Sequence, residues 1–131
     1  MKSKNFVISL YEVKYKVTIF ETEEEFTSHP DAHKEDEKIP IPCYGKFIVF
    51  QQPDGSFRFH IMLFHTATMG AVAHECDHLC NFILDKIGWI ADLDNDEPHA
   101  YLLQFIFNQV SRFFFDWLRV NRPERYPTLK T

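Results

Sequence analysis

Residues 68–88, "TMGAVAHECDHLCNFILDKIG", decide the fold. Val72, Leu79, Phe82 and Ile83 recur at the helical period and Gly88 supplies a stop, so the stretch reads as one amphipathic helix. Immediately upstream, residues 46–64, "KFIVFQQPDGSFRFHIMLF", give two apolar runs with alternation. They are joined by Pro53-Asp54-Gly55, where proline presets φ and glycine supplies positive φ, which predicts a hairpin. Downstream, residues 89–120, "WIADLDNDEPHAYLLQFIFNQVSRFFFDWLRV", predict a second and longer helix that begins near Asn95 or Asp96. Acidic residues and Pro98 suit its first turn, where the helix dipole favours negative charge and a proline loses little.

Leu102, Leu103, Ile106, Phe107, Val110, Phe113, Phe114 and Trp117 give this second helix a broad apolar face. Phe115 falls on its more polar side, beside Gln104, Asn108 and Ser111, where an exposed ring would mark a homo-oligomer or partner contact, although a single stray ring is more often simply half-buried. Residues 6–20, "FVISLYEVKYKVTIF", read as one long strand or a tight pair, with the clearest alternation at Tyr15, Val17 and Ile19. Thr22 and Glu25 spell a capping box that could open a short helix, and the charged stretch after it reads as a solvated loop. The fold expected is α+β over one domain, residues 1–131: a small, mainly antiparallel sheet, a histidine-bearing helix packed on it, and a long C-terminal helix.

The chain has 131 residues, 45% of them hydrophobic, with 14 phenylalanines and only 4 glycines. That is enough for a core without disulfides, and it excludes a disordered or low-complexity class. A formal charge of -5 gives no overall reason to bind nucleic acid, although Arg112, Arg119, Arg122, Arg125 and Lys130 make the C-terminal end locally basic. Three cysteines, Cys43, Cys76 and Cys80, fit a reducing compartment better than a disulfide scaffold. No apolar run approaches the length of a membrane helix and the N-terminus lacks an export signal, so a cytoplasmic setting without membrane contact is expected.

His74 and His78 stand about 40° apart on one helical face, one turn from each other, so both imidazoles can address one divalent ion. Glu75, beside them, is placed to take a proton from water that such an ion activates. A catalytic zinc needs a third protein ligand. Asn81 and Leu84 occupy the positions where a metzincin would need glycine and histidine, which removes that possibility. Cys76 and Cys80 are rotated by about 200° and 240° from His74 and read as small core residues. Glu97, at the start of the second helix, is the leading candidate, with His99, Asp94 and Asp96 behind it and Asp85 as a partner for a ligand histidine. Tyr101, one turn after Glu97, could hydrogen-bond an oxyanion or a ligand carboxylate. His65 could line the cleft, while His29, His33 and His60 have nothing nearby in sequence that argues for a role.

"AHECDH" followed by "DNDEPHAYLL" resembles the gluzincin division of zinc metallopeptidases, and more narrowly small zincin-like proteins of phage and prophage genomes. The resemblance covers roughly residues 57 to 110 and is specific in those two blocks. It implies that His74, His78 and Glu97 hold Zn²⁺, that Glu75 is the catalytic base, and that the substrate is a peptide or protein. An N-E-x-x-x-D-type context around the third glutamate is lacking. The hairpin strand near residues 57 to 64 is then the expected place for an extended substrate to add as a strand. The competing expectation is a non-catalytic protein that keeps the zincin scaffold and acts by occluding a host or phage partner.

Overall fold

A computed structural model of the chain describes residues 1–33, 44–88 and 97–125. Strand β1 (Lys2–Ile8) passes through a 3-10 turn at Ser9–Tyr11 into β2 (Val13–Phe20), so the first apolar run is the tight pair rather than one strand. Glu12 reverses the chain with a left-handed φ of 53°. Helix α1 (Glu23–Ser28) opens with both halves of its capping box: Thr22 Oγ1 accepts from the Glu25 N–H, and the Glu25 carboxylate accepts from the Thr22 N–H.

The expected hairpin is β3 (Gly45–Gln51) and β4 (Phe57–Phe64), with Gly55 at φ 88° in its turn. Helix α2 (Met69–Lys86) follows, N-capped by Thr68 Oγ1 accepting from the Ala71 N–H. Helix α3 (Glu97–Asn121) runs back along it: its start lies beside Cys80, and Arg125, four residues past its end, donates to the Ala67 carbonyl oxygen. The α+β class, the small mainly antiparallel sheet and the two helices are therefore as the sequence predicts. Among the described residues no helix is long and apolar enough to cross a membrane.

The strand order β1-β2-β4-β3 corrects one expectation. β4 is central, parallel to β2 on one side and antiparallel to β3 on the other. Over residues 59–63 both of its edges are already paired, so the body of this strand cannot accept an added one. The alternation in "FRFHIMLF" hid this, because a central strand with two covered faces differs from an edge strand in its neighbours and not in its period.

Period-two alternation then assigns β4 to two environments. Phe59, Ile61 and Leu63 join Tyr15, Val17 and Ile19 under α2 and α3. Met62 turns the other way, with Phe20, Ile48 and Phe26 of α1. The larger cluster is closed by Leu102, Ile106, Val110, Phe114 and Leu118, which lie along one face of α3. Phe115 is half-buried and engaged by other residues. Phe114 is fully buried whereas Phe105 is 48% exposed. Phe114→Ala is expected to lower unfolding stability by about 3–5 kcal/mol, and Phe105→Ala by under about 1 kcal/mol, measured by urea denaturation.

Candidate functional site

Helix α2 buries Val72, Cys76, Leu79, Cys80, Ile83 and Leu84 against the sheet and α3. The opposite face carries His74 and His78, both exposed. Their Nε2 atoms are 3.0 Å apart and the ring centroids 4.6 Å apart. Two nitrogens sharing a tetrahedral zinc at ordinary bond lengths stand about 3.3 Å apart, so this pair needs only a small adjustment to share an ion. The ring of Phe47, on β3, stacks on His78 at 6.1 Å and 10°, which limits how the imidazole can turn. Cys76 and Cys80 are fully buried, and burial pushes both thiols up to about 12. They are core residues and not thiolate ligands.

Glu75 lies on the flank of α2 that faces β3 and is buried. A Cβ added at Gly45 would come within 3.0 Å of Glu75 Cγ and 3.3 Å of the Met62 carbonyl oxygen, so the absent side chain at Gly45 makes the room for Glu75. Burial raises the Glu75 carboxyl above its usual range, and the adjacent His74 pulls it partly back. The carboxyl accepts no hydrogen bond among the described residues, which leaves its oxygens uncommitted.

Helix α3 meets the other flank of α2 through His99, not through Glu97. His99 Nε2 is 2.9 Å from Asp77 Oδ1, Asn81 Nδ2 donates to Asp77 Oδ2 at 3.1 Å, and Cys80 Sγ donates to the His99 carbonyl oxygen at 3.5 Å. Glu97 is the exposed first residue of α3, about 200° around the helix from His99. It does not join His74 and His78 in a three-ligand cluster with all donor atoms within 4.8 Å. Tyr101 is 67% exposed on the same side as Glu97. Asp85 is exposed near the end of α2, and His65 sits by Trp117 at the β4–α2 turn. Asp94, Asp96 and Cys43 lie outside the described residues.

No family model, curated protein or solved structure matches the chain. The likeness to gluzincins therefore rests on the two motif blocks alone.

Sequence reading passed over His29 and His60, which the structure brings together with Asp31 on the α1 side of the sheet. Among the described residues this is the group of three whose ligand atoms lie within 4.8 Å of one another, and it could hold a metal ion. Its members are also hydrogen-bonded to one another and to their neighbours as they stand. His60 Nδ1 is 2.7 Å from Asp31 Oδ2, His60 Nε2 is 2.7 Å from Thr18 Oγ1, and Thr18 Oγ1 is 2.8 Å from Ser3 Oγ. Arg58 donates to both Asp31 oxygens, and the Asp31 N–H donates to His29 Nδ1.

A carboxylate only accepts, so a neutral His60 must donate from Nδ1 to Asp31. Nε2 then accepts from the Thr18 hydroxyl, which in turn accepts from Ser3. The signal in the sequence was a polar pair, Arg58 and His60, at alternate positions of an otherwise apolar strand.

Burial of His60 lowers its pKa to about 4, against the opposing pull of Asp31. Asp31 is itself held below the usual carboxylate range: burial opposes this, but the bonds from Arg58 and His60 outweigh it. The His60 contribution is full above its unfolded value near 6.5 and is lost as the unfolded chain takes up a proton on acidification. Stability is expected to fall by up to about 3 kcal/mol between pH 6.5 and pH 4, with the Asp31 contribution lost at still lower pH. Urea titrations across this range should show the slope, and His60→Gln should flatten it.

Proposed function

We propose that the chain is a small zinc-dependent metallopeptidase, in which His74 and His78 hold Zn²⁺ and Glu75 is the catalytic base. The observation that carries this reading is the 3.0 Å approach of two exposed imidazole nitrogens from consecutive turns, with a buried carboxyl between them in sequence. Glu97 is the proposed third ligand, a role that requires the first turn of α3 to present it to His74 and His78 in place of the exposed position, away from α2, that it has here. Tyr101, one turn on, is the proposed donor to an oxyanion. The substrate class is a peptide or protein.

Zinc, when bound, supplies a Lewis acid that polarises the scissile carbonyl and makes a water molecule more acidic. The chain supplies the proton traffic. A Glu75 carboxylate oxygen accepts the proton from the attacking water and returns it to the amine nitrogen as the C–N bond breaks. Burial, which raises its pKa above the usual carboxylate range, makes it a stronger proton acceptor than an exposed glutamate. Stacking on Phe47 holds His78, and the space at Gly45 holds Glu75, so neither depends on the substrate for its place.

Protein purified without a histidine tag is expected to contain close to one equivalent of zinc, lost in His74→Ala and in His78→Ala. Glu75→Gln should keep the metal while hydrolysis of a quenched-fluorescence peptide library falls by about 10²–10⁴-fold. Metal retained through His74→Ala but lost in His29→Ala would move the centre to the opposite face of the sheet and overturn the reading. Unchanged biological activity in Glu75→Gln would favour a non-catalytic binding protein on the same scaffold.

A further inference from the structure

A cavity of about 240 Å³ opens where the last turns of α2 pass over the β1–β2 turn and the start of β4. Its walls are mainly apolar, with Val13 from β2, Phe57 and Phe59 from β4, and Phe82 and Ile83 from α2. The three rings pack as one unit, because Phe82 meets Phe57 at 5.1 Å and Phe59 at 5.3 Å, both edge-on. Phe57 and Phe82 are only half-buried, so part of each ring is open to solvent.

Lys86, in the last turn of α2, stands over this wall. Its Nζ lies 4.8 Å from the centroid of Phe57 and 5.1 Å from that of Phe82. The rings and the C-terminal end of the helix dipole favour a cation at this place. Neither is a counter-ion, and Lys86 forms no ion pair among the described residues. The other charged residues at the cavity are Glu12 and Lys14, both exposed. Lys14 alternates with Val13 and Tyr15, which pack toward the helices, so its side chain turns to the other face of the sheet. Glu12, in the left-handed turn at the rim, opposes more than one negative charge in a ligand. The cavity thus asks for an apolar body and a head that carries a single negative charge.

We propose that this cavity binds a monocarboxylate with an aromatic body, its ring against Phe57, Phe59 and Phe82 and its carboxylate on Lys86 Nζ. An apolar cavity of about 150 Å³ takes benzene, so the space here has room for a phenyl ring and a short alkyl arm. A flat ring also continues the edge-on packing that the phenylalanines already use among themselves. An ammonium offers donors and no acceptor, which matches a carboxylate and not its amide. The ligand can be a small arylalkanoic acid or the C-terminal phenylalanine of a peptide, which hold ring and carboxylate at the same spacing. Lys86 lies about 12 Å along the axis of α2 from His78, so this site does not rest on the peptidase reading.

The test titrates 3-phenylpropionate, its amide and acetate into the full chain at constant ionic strength. The ring resonances of Phe57 and Phe82 and the side-chain resonances of Lys86 are followed by NMR. Saturable shifts are expected with 3-phenylpropionate, with the amide about tenfold weaker and acetate weaker than the aromatic acid. N-acetylphenylalanine that binds more tightly than 3-phenylpropionate identifies a peptide terminus as the source, and equal or weaker binding identifies a small acid.

Lys86→Gln, at an exposed position, should weaken the acid by about tenfold and leave the amide unchanged, so that the two ligands become equal. Phe82→Leu should weaken acid and amide alike. Absence of saturable shifts, equal affinity of acid and amide in the parent chain, acetate bound as tightly as 3-phenylpropionate, or an unchanged acid affinity in Lys86→Gln would each overturn the proposal.

Discussion

Burial of Val72, Cys76, Leu79, Cys80 and Ile83 against the sheet and α3 fixes the rotation of α2 about its own axis. Five such side chains bring on the order of 10 kcal/mol of apolar burial as an upper figure, whereas one imidazole-to-imidazole hydrogen bond is worth about 1 kcal/mol. The histidines therefore do not orient the helix; the core does. With the core face set, His74 and His78 must point outward together, Glu75 must fall against β3, and Asp77 must fall toward α3. The arrangement of the candidate centre is thus a consequence of hydrophobic packing one helical face away.

The sheet contributes through the central position of β4. Its alternate side chains serve two separate clusters, one under α2 and α3 and one under α1. Phe59 lies within the aromatic group that reaches Phe47 and so His78. His60, next to Phe59, points the opposite way into a closed polar network with Asp31, Thr18 and Arg58. Consecutive residues of one strand thereby support two sites that share no side chain.

Much of this was legible in the sequence because it depends on local signals. The capping box at Thr22, the turn at Pro53-Asp54-Gly55 and the apolar periodicity of α2 each specify an element within a few residues, and each element is present. The convergence of His74 and His78 follows from helical spacing alone. What was not legible depends on contacts between distant segments. The parallel pairing of β2 with β4 joins strands separated by α1 and β3, and nothing in residues 57–64 distinguishes it from an edge placement. The grouping of His29, Asp31 and His60 needs a turn and a strand roughly thirty residues apart to meet, and the polar pair Arg58 and His60 on an apolar strand does not say which distant residues it faces. Glu97 stands at the first position of α3, where a single turn of helix decides whether a carboxylate or His99 faces α2, and spacing along the chain does not settle that rotation.

The central claim is that the core-determined rotation of α2 directs two imidazoles at one cation. Proton NMR of the cobalt(II)-loaded chain tests it most directly, because only rings bound to the paramagnetic ion give strongly hyperfine-shifted exchangeable resonances. The account predicts such resonances in the parent chain and their complete loss, with the metal, in His74→Ala and in His78→Ala. Their persistence in both variants, together with loss in His29→Ala, would contradict it.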